Sequence, residues 1–261
     1  MHVPNIIASL DAEWVKGQHA EVALPDHENR LLSYQITILN RATGQYHSIL
    51  EEPTGATRRH RLSLAHLLAK ALLAAKKAGV IEAWPEVLAL VAHFTRADLT
   101  TLRDRKNLLT RVDSVRRTFA TTTRPLVLSV PSPAGPRRIS IIIVDTMLLA
   151  PAGSSLKVLG DAIGVPKIEL PPGTIERMDL LKEENPALFR DYALQDAVIA
   201  AKWADRAWTL LSEKLGVDGH VPTLGAAGVR MIEKTLDQMN ISPDAYFGYE
   251  YVRRQKQIQH A

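Results

Sequence analysis

Short apolar runs and helically spaced apolar residues divide the chain into strands and helices. The apolar runs predict strands at residues 5–14, 31–39, 45–51, 87–94 and 139–144. Helical spacing and capping side chains predict helices at residues 63–79, 95–119, 154–163, 174–215 and 223–239. Gly44 suits a short hairpin loop between the second and third strands. Thr, Pro and Ser dominate residues 121–138, which predicts a loop or a short hairpin around residues 126–130.

The order of these segments defines the fold class. A three-stranded meander comes first, and strands separated by helices follow it. This order predicts an α/β protein with one mixed sheet flanked by helices. A break at residues 216–222 separates the last predicted helix from the rest of the chain.

The composition is typical of a soluble globular protein and excludes several functions. The 261 residues include no cysteine, which excludes disulfides and zinc–thiolate sites. Residues 62–81 are the most apolar stretch, but charged side chains interrupt them, so we expect no membrane span. No basic leader begins the chain, and we expect a cytoplasmic protein. A phosphate-binding Gly-x-x-x-x-Gly-Lys-Ser/Thr motif is absent, so nucleoside triphosphate hydrolysis has no support.

The charge balance favours a polyanionic partner. The formal net charge is +4, and the exterior is more basic still if several acidic residues converge on one site. The alternative is an ordinary basic surface without a partner. Basic clusters that could bind phosphates lie at residues 58–61, 116–117, 137–138 and 253–254.

Two acidic residues end the first predicted strand. Asp11 and Glu13 follow an apolar run, and residues two apart on a strand point to the same side. Burying two like charges together is costly without cations, which disfavours the interpretation as a solvated strand end. Asp26 and Glu28 have the same spacing among polar residues, and we interpret that copy as a surface loop.

Three further candidates lie later in the chain. Tyr192 and Asp196 are four residues apart in a helical stretch and therefore share a face. Asp98 lies in the first turn of the helix predicted after the fourth strand. Taken alone, Asp98 is explained as a helix N-terminal acid and Tyr192 as a core aromatic. Together with Asp11 and Glu13, the carboxylates of Asp98 and Asp196 suit a site for two divalent ions that clamp a phosphodiester.

The order and spacing of these motifs resemble the DEDDy exonucleases, also called DnaQ-like. The motifs are Asp11-Ala12-Glu13, residues 93–98 ending in Asp98, and Tyr192-x-x-x-Asp196. The resemblance covers roughly residues 5–210 and implies a ribonuclease H-like fold. It implies an exonuclease domain at residues 1–215, followed by a helical C-terminal extension at residues 216–261. The second motif departs from the family at Phe94 and Ala97, where members often have Asn and an aromatic residue.

The resemblance also implies an activity: 3′→5′ removal of nucleoside monophosphates from single-stranded nucleic acid, with two Mg²⁺ or Mn²⁺ ions. In this family pattern Asp11, Glu13 and Asp196 hold one ion, whereas Asp11 and Asp98 serve the second. Tyr192 orients the attacking water, because a phenol with an ordinary pKa near 10 is a poor base at neutral pH.

Two subfamilies remain open. Residues 145–169 and the Tyr192 motif resemble the proofreading domains of family B DNA polymerases of the organellar and viral type. A polymerase or another replication or repair protein is then an expected partner. The rival is a ribonuclease D-like enzyme that trims RNA, and we favour DNA. A binding module with a decayed nuclease site is the alternative from another class, and the presence of every motif residue disfavours it.

Two nearby residues are expected to support the site. Asp145 ends the Ile-rich strand, and a helix cap or a contact to a catalytic residue is favoured over a metal ligand. His93 is interpreted as a strand-end packing or supporting residue in the same way.

Overall fold

The architecture was taken from a computed structural model that describes residues 3–16, 29–115 and 119–247. The strands are β1 Ile6–Val15, β2 Arg30–Asn40, β3 Tyr46–Glu51, β4 Val87–Ala92, β5 Asp113–Val115, β6 Phe119–Thr121, β7 Leu126–Val130 and β8 Arg137–Asp145. The α-helices are α1 Leu64–Lys77, α2 Thr95–Thr101, α3 Arg105–Leu109, α4 Leu156–Ala162, α5 Met178–Glu184, α6 Pro186–Leu215, α7 Leu224–Gln238 and α8 Pro243–Phe247. Short 3₁₀ helices lie at Arg58–His60, Thr146–Leu149 and Ile175–Arg177. The predicted loop copy Asp26–Glu28 and the basic pairs 116–117 and 253–254 lie outside the described residues.

The main sheet has six strands in the order β3-β2-β1-β4-β8-β7. β1, β2 and β3 form an antiparallel meander, whereas β4 and β8 run parallel to β1. β7 returns antiparallel to β8 and forms the edge of the sheet. The predicted fold class is therefore confirmed: a mixed sheet flanked by helices in the ribonuclease H-like arrangement.

The alternation of side chains in β1 assigns each residue to one face of the sheet. Ala8, Leu10 and Ala12 are buried in the cluster that α1 covers. Ile7 lies in the opposite cluster with Trp208 of α6. Residues two apart share a face, so Asp11 and Glu13 point with Ile7 toward α6. The strand thus separates the apolar core under α1 from a carboxylate-bearing face under α6.

Local capping explains why the covering helices begin where they do. Ser63 caps α1 by accepting a hydrogen bond from the N–H of His66 at 3.4 Å. Asn185 caps α6 by accepting from the N–H of Leu188 at 3.1 Å, and Pro186 occupies the first turn. Gly216 ends α6 in the left-handed region at φ 60°.

The single long helix predicted at residues 95–119 is wrong. The chain forms α2 and α3, then the β5–β6 hairpin. Leu102 is extended at φ −71° and ψ 152°, which ends α2, and β6 then contacts the edge of β8. Leu99, Leu102 and Leu108 are all buried, so tertiary packing is satisfied by two short helices instead of one.

The segment after α6 contains a loop, then α7 and α8, within the described residues. Thr223 caps α7, accepting from the N–H of Ala226 at 2.9 Å. Val217, Val221 and Ala227 pack in the same cluster as Trp208. Across the described ranges, no helix has both the length and the apolarity needed to cross a membrane.

Candidate active site

Asp11, Glu13 and Asp196 converge beneath α6. One carboxylate oxygen from each residue lies within 4.8 Å of those of the other two. Asp196 is 6% exposed, and Asp11 and Glu13 are half-buried. The sequence spacing therefore brings together three of the predicted ligands, two from a strand and one from a helix.

The shared environment raises the pKa of each of these carboxyl groups. Burial raises the pKa of Glu13 to about 7, and the charge of Asp196 adds to the rise. Burial and then the charges of Glu13 and Asp196 raise the pKa of Asp11 well above its ordinary value. Burial also raises the pKa of Asp196, although Lys167 opposes this. Like charges are thus held together at a cost that a bound cation would remove.

Asp98 lies beside this cluster, and its carboxylate is not one of the three that meet the 4.8 Å spacing. It is 6% exposed in the first turn of α2. Burial, followed by the charges of Asp11, Asp145 and Glu13, raises its pKa well above the ordinary value, and a hydrogen bond with the backbone of Ala12 opposes the rise. Asp98 therefore belongs to the same electrostatic site.

Asp145 holds the turn that positions α2. Its Oδ2 accepts from the N–H of Thr95 at 2.8 Å, and its Oδ1 accepts from the N–H of Phe94 at 3.2 Å and of Met147 at 3.0 Å. Phe94 lies in the left-handed region at φ 77°, which is strained for a residue with a bulky side chain. Asp145 thus caps the 3₁₀ helix Thr146–Leu149, and the predicted capping role is confirmed.

His93 also supports this turn. Its Nδ1 is 3.0 Å from Oγ1 of Thr146, which itself donates to the carbonyl of Ala92 at 3.1 Å. Burial lowers the pKa of His93 to about 4, and the charge of Lys167 contributes. The ring is therefore neutral at neutral pH.

Tyr192 and Lys167 border the carboxylates on the α6 side. Tyr192 is 5% exposed, and burial, with the charge of Asp196 adding, raises its pKa above the ordinary value. The ammonium of Lys167 forms an ion pair with Oδ2 of Asp196 and lies 4.7 Å from the centre of the Tyr192 ring. Although burial lowers the pKa of Lys167, the charge of Asp196 raises it above its ordinary value overall. Lys167 therefore brings a permanent positive charge to the site.

Gln35 is a buried polar residue on β2, directly opposite Asp11. With its amide nitrogen turned toward Asp11, Gln35 donates to the backbone oxygen of Asp11 at 3.0 Å and to its Oδ2 at 3.3 Å. In the same orientation the amide oxygen accepts from Oγ of Ser33 at 2.6 Å. Gln35 therefore fixes the orientation of the Asp11 carboxylate.

Lys167 and Gln35 were not predicted from the sequence as site residues. Lys167 lies in a loop, 29 residues before Asp196 in the chain, so no helical or strand spacing in the sequence predicts their contact. A signal for Gln35 does exist, because a glutamine inside the apolar strand 31–39 is unusual on a buried face.

A basic cleft of about 450 Å³ is bordered by Trp14 and Ala97, the chain neighbours of Glu13 and Asp98. It is lined by Trp14, Asn29, Leu31, Arg58, Arg61, Ala97, Thr100, Thr101 and Arg105. Arg61 is 6% exposed and donates to the carbonyls of Asn29 at 2.9 Å and Thr101 at 3.2 Å. The predicted basic cluster at residues 58–61 thus contributes both to a loop anchor and to the wall of this cleft.

The donor set fits hard divalent cations. Carboxylate oxygens are the ligands that Mg²⁺ prefers, and Mn²⁺ accepts them as well. Oδ1 of Asp196 is buried and has no hydrogen-bond partner in the described part of the chain. An unsatisfied buried carboxylate oxygen is costly, and a cation at this position would satisfy it.

Comparison with known proteins relates the chain to a DNA polymerase. No family model matches it. The primer-independent DNA polymerase PolB of Escherichia coli is 30% identical over 242 residues, which cover 85% of this chain. The chain spans only 28% of the length of that polymerase. A solved 3′-exonuclease covers 81% of this chain and 62% of its own, with 11% identity and a TM-score of 0.39.

Proposed function

We propose that the chain is a metal-dependent 3′→5′ exonuclease that removes nucleoside monophosphates from single-stranded DNA ends. The observation that carries the proposal is the approach of Asp11, Glu13 and Asp196 to within 4.8 Å. Three carboxylates with raised pKa values in one recess are poorly explained by stability, because their repulsion and desolvation oppose folding. Strained sites of this kind are characteristic of catalysis.

Asp11, Glu13 and Asp196 would hold one divalent ion, and Asp98 with Asp11 would serve a second. When bound, such ions supply Lewis acidity and lower the pKa of water at the scissile phosphate. The chain's own contribution is orientation. Gln35 fixes Asp11, while Asp145 fixes the turn that leads to Asp98.

Tyr192 and Lys167 would act on the substrate side. With its pKa raised by burial, the phenol of Tyr192 keeps its proton at neutral pH and serves as a hydrogen-bonding group that orients water. Lys167 stays protonated beside Asp196 and offers positive charge to the phosphodiester. Neither group needs to change its protonation state before the reaction.

The similarity to a DNA polymerase supports DNA as the substrate and a replication protein as a partner. The segment 1–215 would form the exonuclease domain, and residues 216–261 a helical extension. The carboxylates under α6 are buried or half-buried, which suits the unpaired end of a single strand better than a duplex.

The test is a nuclease assay on 5′-end-labelled DNA and RNA single strands, with Mg²⁺, with Mn²⁺ and with chelator. We expect stepwise shortening of DNA to nucleoside 5′-monophosphates, no reaction in chelator and slow reaction of a blocked 3′ end. Faster shortening of RNA would establish the ribonuclease D-like alternative. Rapid cleavage of circular single-stranded DNA would exclude an exonuclease, because a circle has no end.

A further inference from the structure

A second basic surface lies at the opposite end of the sheet from the carboxylates. Two adjoining hollows, of about 560 and 430 Å³, share Trp84, Ala134 and Arg137 as lining residues. Lys76 and Lys77 border one hollow, and Arg138 borders the other. We call this set of residues the Trp84 surface.

The fold places the Trp84 surface far from the candidate active site. Val87 and Arg137 begin β4 and β8, whereas Ala92 and Asp145 end the same strands near Asp98. The six residues of β4 span roughly 17 Å at about 3.3 Å per residue. The two sites therefore lie at opposite ends of the strands of one sheet.

The Trp84 surface carries a net positive charge. Lys76, Lys77, Arg137 and Arg138 are exposed, and none of the ion pairs found in the described ranges involves them. Glu86 is the one acidic residue that lines either hollow in the described chain. The position of Lys76 and Lys77 at the C-terminus of α1 stabilises that helix, but Arg137 and Arg138 lie on a strand where no such benefit exists.

Trp84 gives the surface an aromatic platform. The indole packs against the core beneath it and remains partly accessible at the meeting point of both hollows. The turn 132–135 also lines the hollows and is closed by two hydrogen bonds. The hydroxyl of Ser132 donates to the carbonyl of Gly135 at 2.5 Å, and the carbonyl of Ser132 accepts from the N–H of Gly135 at 3.0 Å. A fixed indole among cations is the combination on which single-stranded nucleic acids stack and bind.

The β7 edge of the sheet carries further cations next to the Trp84 surface. β7 runs along this edge, and Arg111 donates to the carbonyl of Val127 at 3.2 Å. Arg124 precedes β7 and is exposed. Cations therefore follow β7 from the side of Asp145 to Arg137.

We infer that the Trp84 surface is a second binding site for single-stranded nucleic acid, which holds the strand several nucleotides away from the end being processed. At the 3.4 Å rise of a stacked strand, the 17 Å length of β4 sets a separation of at least about five nucleotides. A short oligonucleotide would reach only one of the two sites at a time, and a longer one would occupy both at once. The inference goes beyond the proposed function, and it rests on that function only for the direction of the strand.

The experiment measures binding of 5′-fluorescent oligothymidylates of about 5 and about 20 nucleotides in chelator. The Arg137→Gln/Arg138→Gln variant removes two charges from the Trp84 surface. Arg206→Gln/Lys214→Gln removes two exposed charges from α6 and serves as the matched control. Both variants should melt like the wild type, because the substituted side chains are exposed.

We expect the Arg137→Gln/Arg138→Gln variant to bind the longer strand about tenfold more weakly and the shorter strand with a much smaller loss. For the longer strand, the slope of log Kd against log salt concentration should be smaller by about 1.4 in this variant, since each phosphate contact on a single strand contributes about 0.7. Trp84→Leu keeps an apolar contact with the core but removes the stacking face. It should also lose affinity mainly for the longer strand, by about fivefold or more.

Equal losses in the Arg137→Gln/Arg138→Gln variant and the control, or unchanged binding of the longer strand, would overturn the inference. The proposed function is separated by adding Mn²⁺ and following cleavage of the short strand. If the wild type never cleaves and the Arg137→Gln/Arg138→Gln variant shows the length-dependent loss of binding, only the proposed function is rejected. If the wild type cleaves and the variant shows no such loss, only the second site is rejected.

Discussion

At the scale of single residues, the carboxylate of Glu13 carries its charge where little water can solvate it. Glu13→Gln keeps the shape and removes that charge. We expect at least a hundredfold loss of nuclease rate, because a ligand to the cation disappears. We also expect the metal-free protein to gain on the order of 1 kcal/mol at pH 8, since burial raises the pKa of Glu13 to about 7.

Rates come from labelled single strands and stability from denaturant unfolding in chelator. Glu213→Gln removes an exposed glutamate near the C-terminal end of α6, remote from the carboxylates, and should change neither quantity. A Glu13→Gln enzyme that retains wild-type rate, or loses stability in chelator, would contradict the assignment of Glu13 to a cation site.

Tyr192 tests whether the phenol positions water. Tyr192→Phe leaves every carboxylate in place, so binding of metal and strand should persist. The rate at saturating metal should fall roughly 10- to 1000-fold through loss of one hydrogen bond. Asp196→Asn should cost more, because it changes a proposed ligand and breaks the ion pair with Lys167. A Tyr192→Phe enzyme as fast as the wild type would mean that the ring only packs.

The sequence predicts those site residues that lie on regular strands and helices, where spacing determines which side chains share a face. Asp11 and Glu13 share a strand face, and Tyr192 and Asp196 share a helix face, so spacing together with the surrounding strand or helix pattern places each pair. Lys167 lies in a loop, where no repeat relates its position to Asp196. Its role depends on the folded path of the chain and becomes visible only in three dimensions.

At the scale of elements, Gly160 of α4 sets the position of the loop that carries Lys167. A Cβ at Gly160 would lie 2.5 Å from the carbonyl oxygen of Val165, 3.1 Å from Cδ1 of Ile199 and 3.4 Å from the backbone N of Lys167. Gly160→Ala should therefore displace the loop, destabilise the protein by about 1–3 kcal/mol and reduce the nuclease rate about tenfold.

The matched control for this substitution is Gly228→Ala. Gly228 lies within α7, and a Cβ there meets nothing within 4 Å. This change should stabilise the protein by about 0.5–1 kcal/mol and leave the rate unchanged. Thermal melts and single-turnover rates measure both effects. Wild-type stability and rate in Gly160→Ala would show that the loop is not held by this contact.

The elements differ in how well the sequence defines them. Apolar runs bounded by turn residues predict all the strands of the main sheet except β7, for which the sequence predicts a loop or a short hairpin. The sequence predicts a single helix over residues 95–119, with Asp98 in its first turn. The chain forms the β5–β6 hairpin in place of the end of that helix because β6 contacts β8. This is a long-range interaction that local propensity does not include.

At the scale of the whole molecule, protons and divalent ions should compete for the same carboxylates. Glu13 has a pKa raised to about 7, and those of Asp11, Asp98 and Asp196 are also raised. In the metal-free protein these groups hold protons that the unfolded chain has released, so their contribution to stability falls as pH rises toward and through 7. Cation binding requires their release and should strengthen over the same range.

We therefore expect the rise in Tm on adding Mn²⁺ to be several degrees larger at pH 8 than at pH 5.5. His93 and His220, whose pKa values burial lowers to about 4, affect samples with and without metal alike and cancel in the difference. Differential scanning fluorimetry measures the shift, and Asp196→Asn should reduce it. A shift that is equal at both pH values, or larger in acid, would argue against cation binding by these carboxylates.

The register irregularity in β1 falls between Glu13 and Trp14, immediately after the second carboxylate. Up to Glu13 the ladder with β2 is regular, so a one-residue insertion or deletion there would turn both acids to the α1 face. Beyond Glu13 the pairing has already shifted, and a change of length is absorbed without disturbing them. Evolution is thus free to remodel the chain after Trp14 while its first strand stays fixed in length. In an alignment of divergent relatives, gaps should begin after Trp14 and not within Ile6–Glu13.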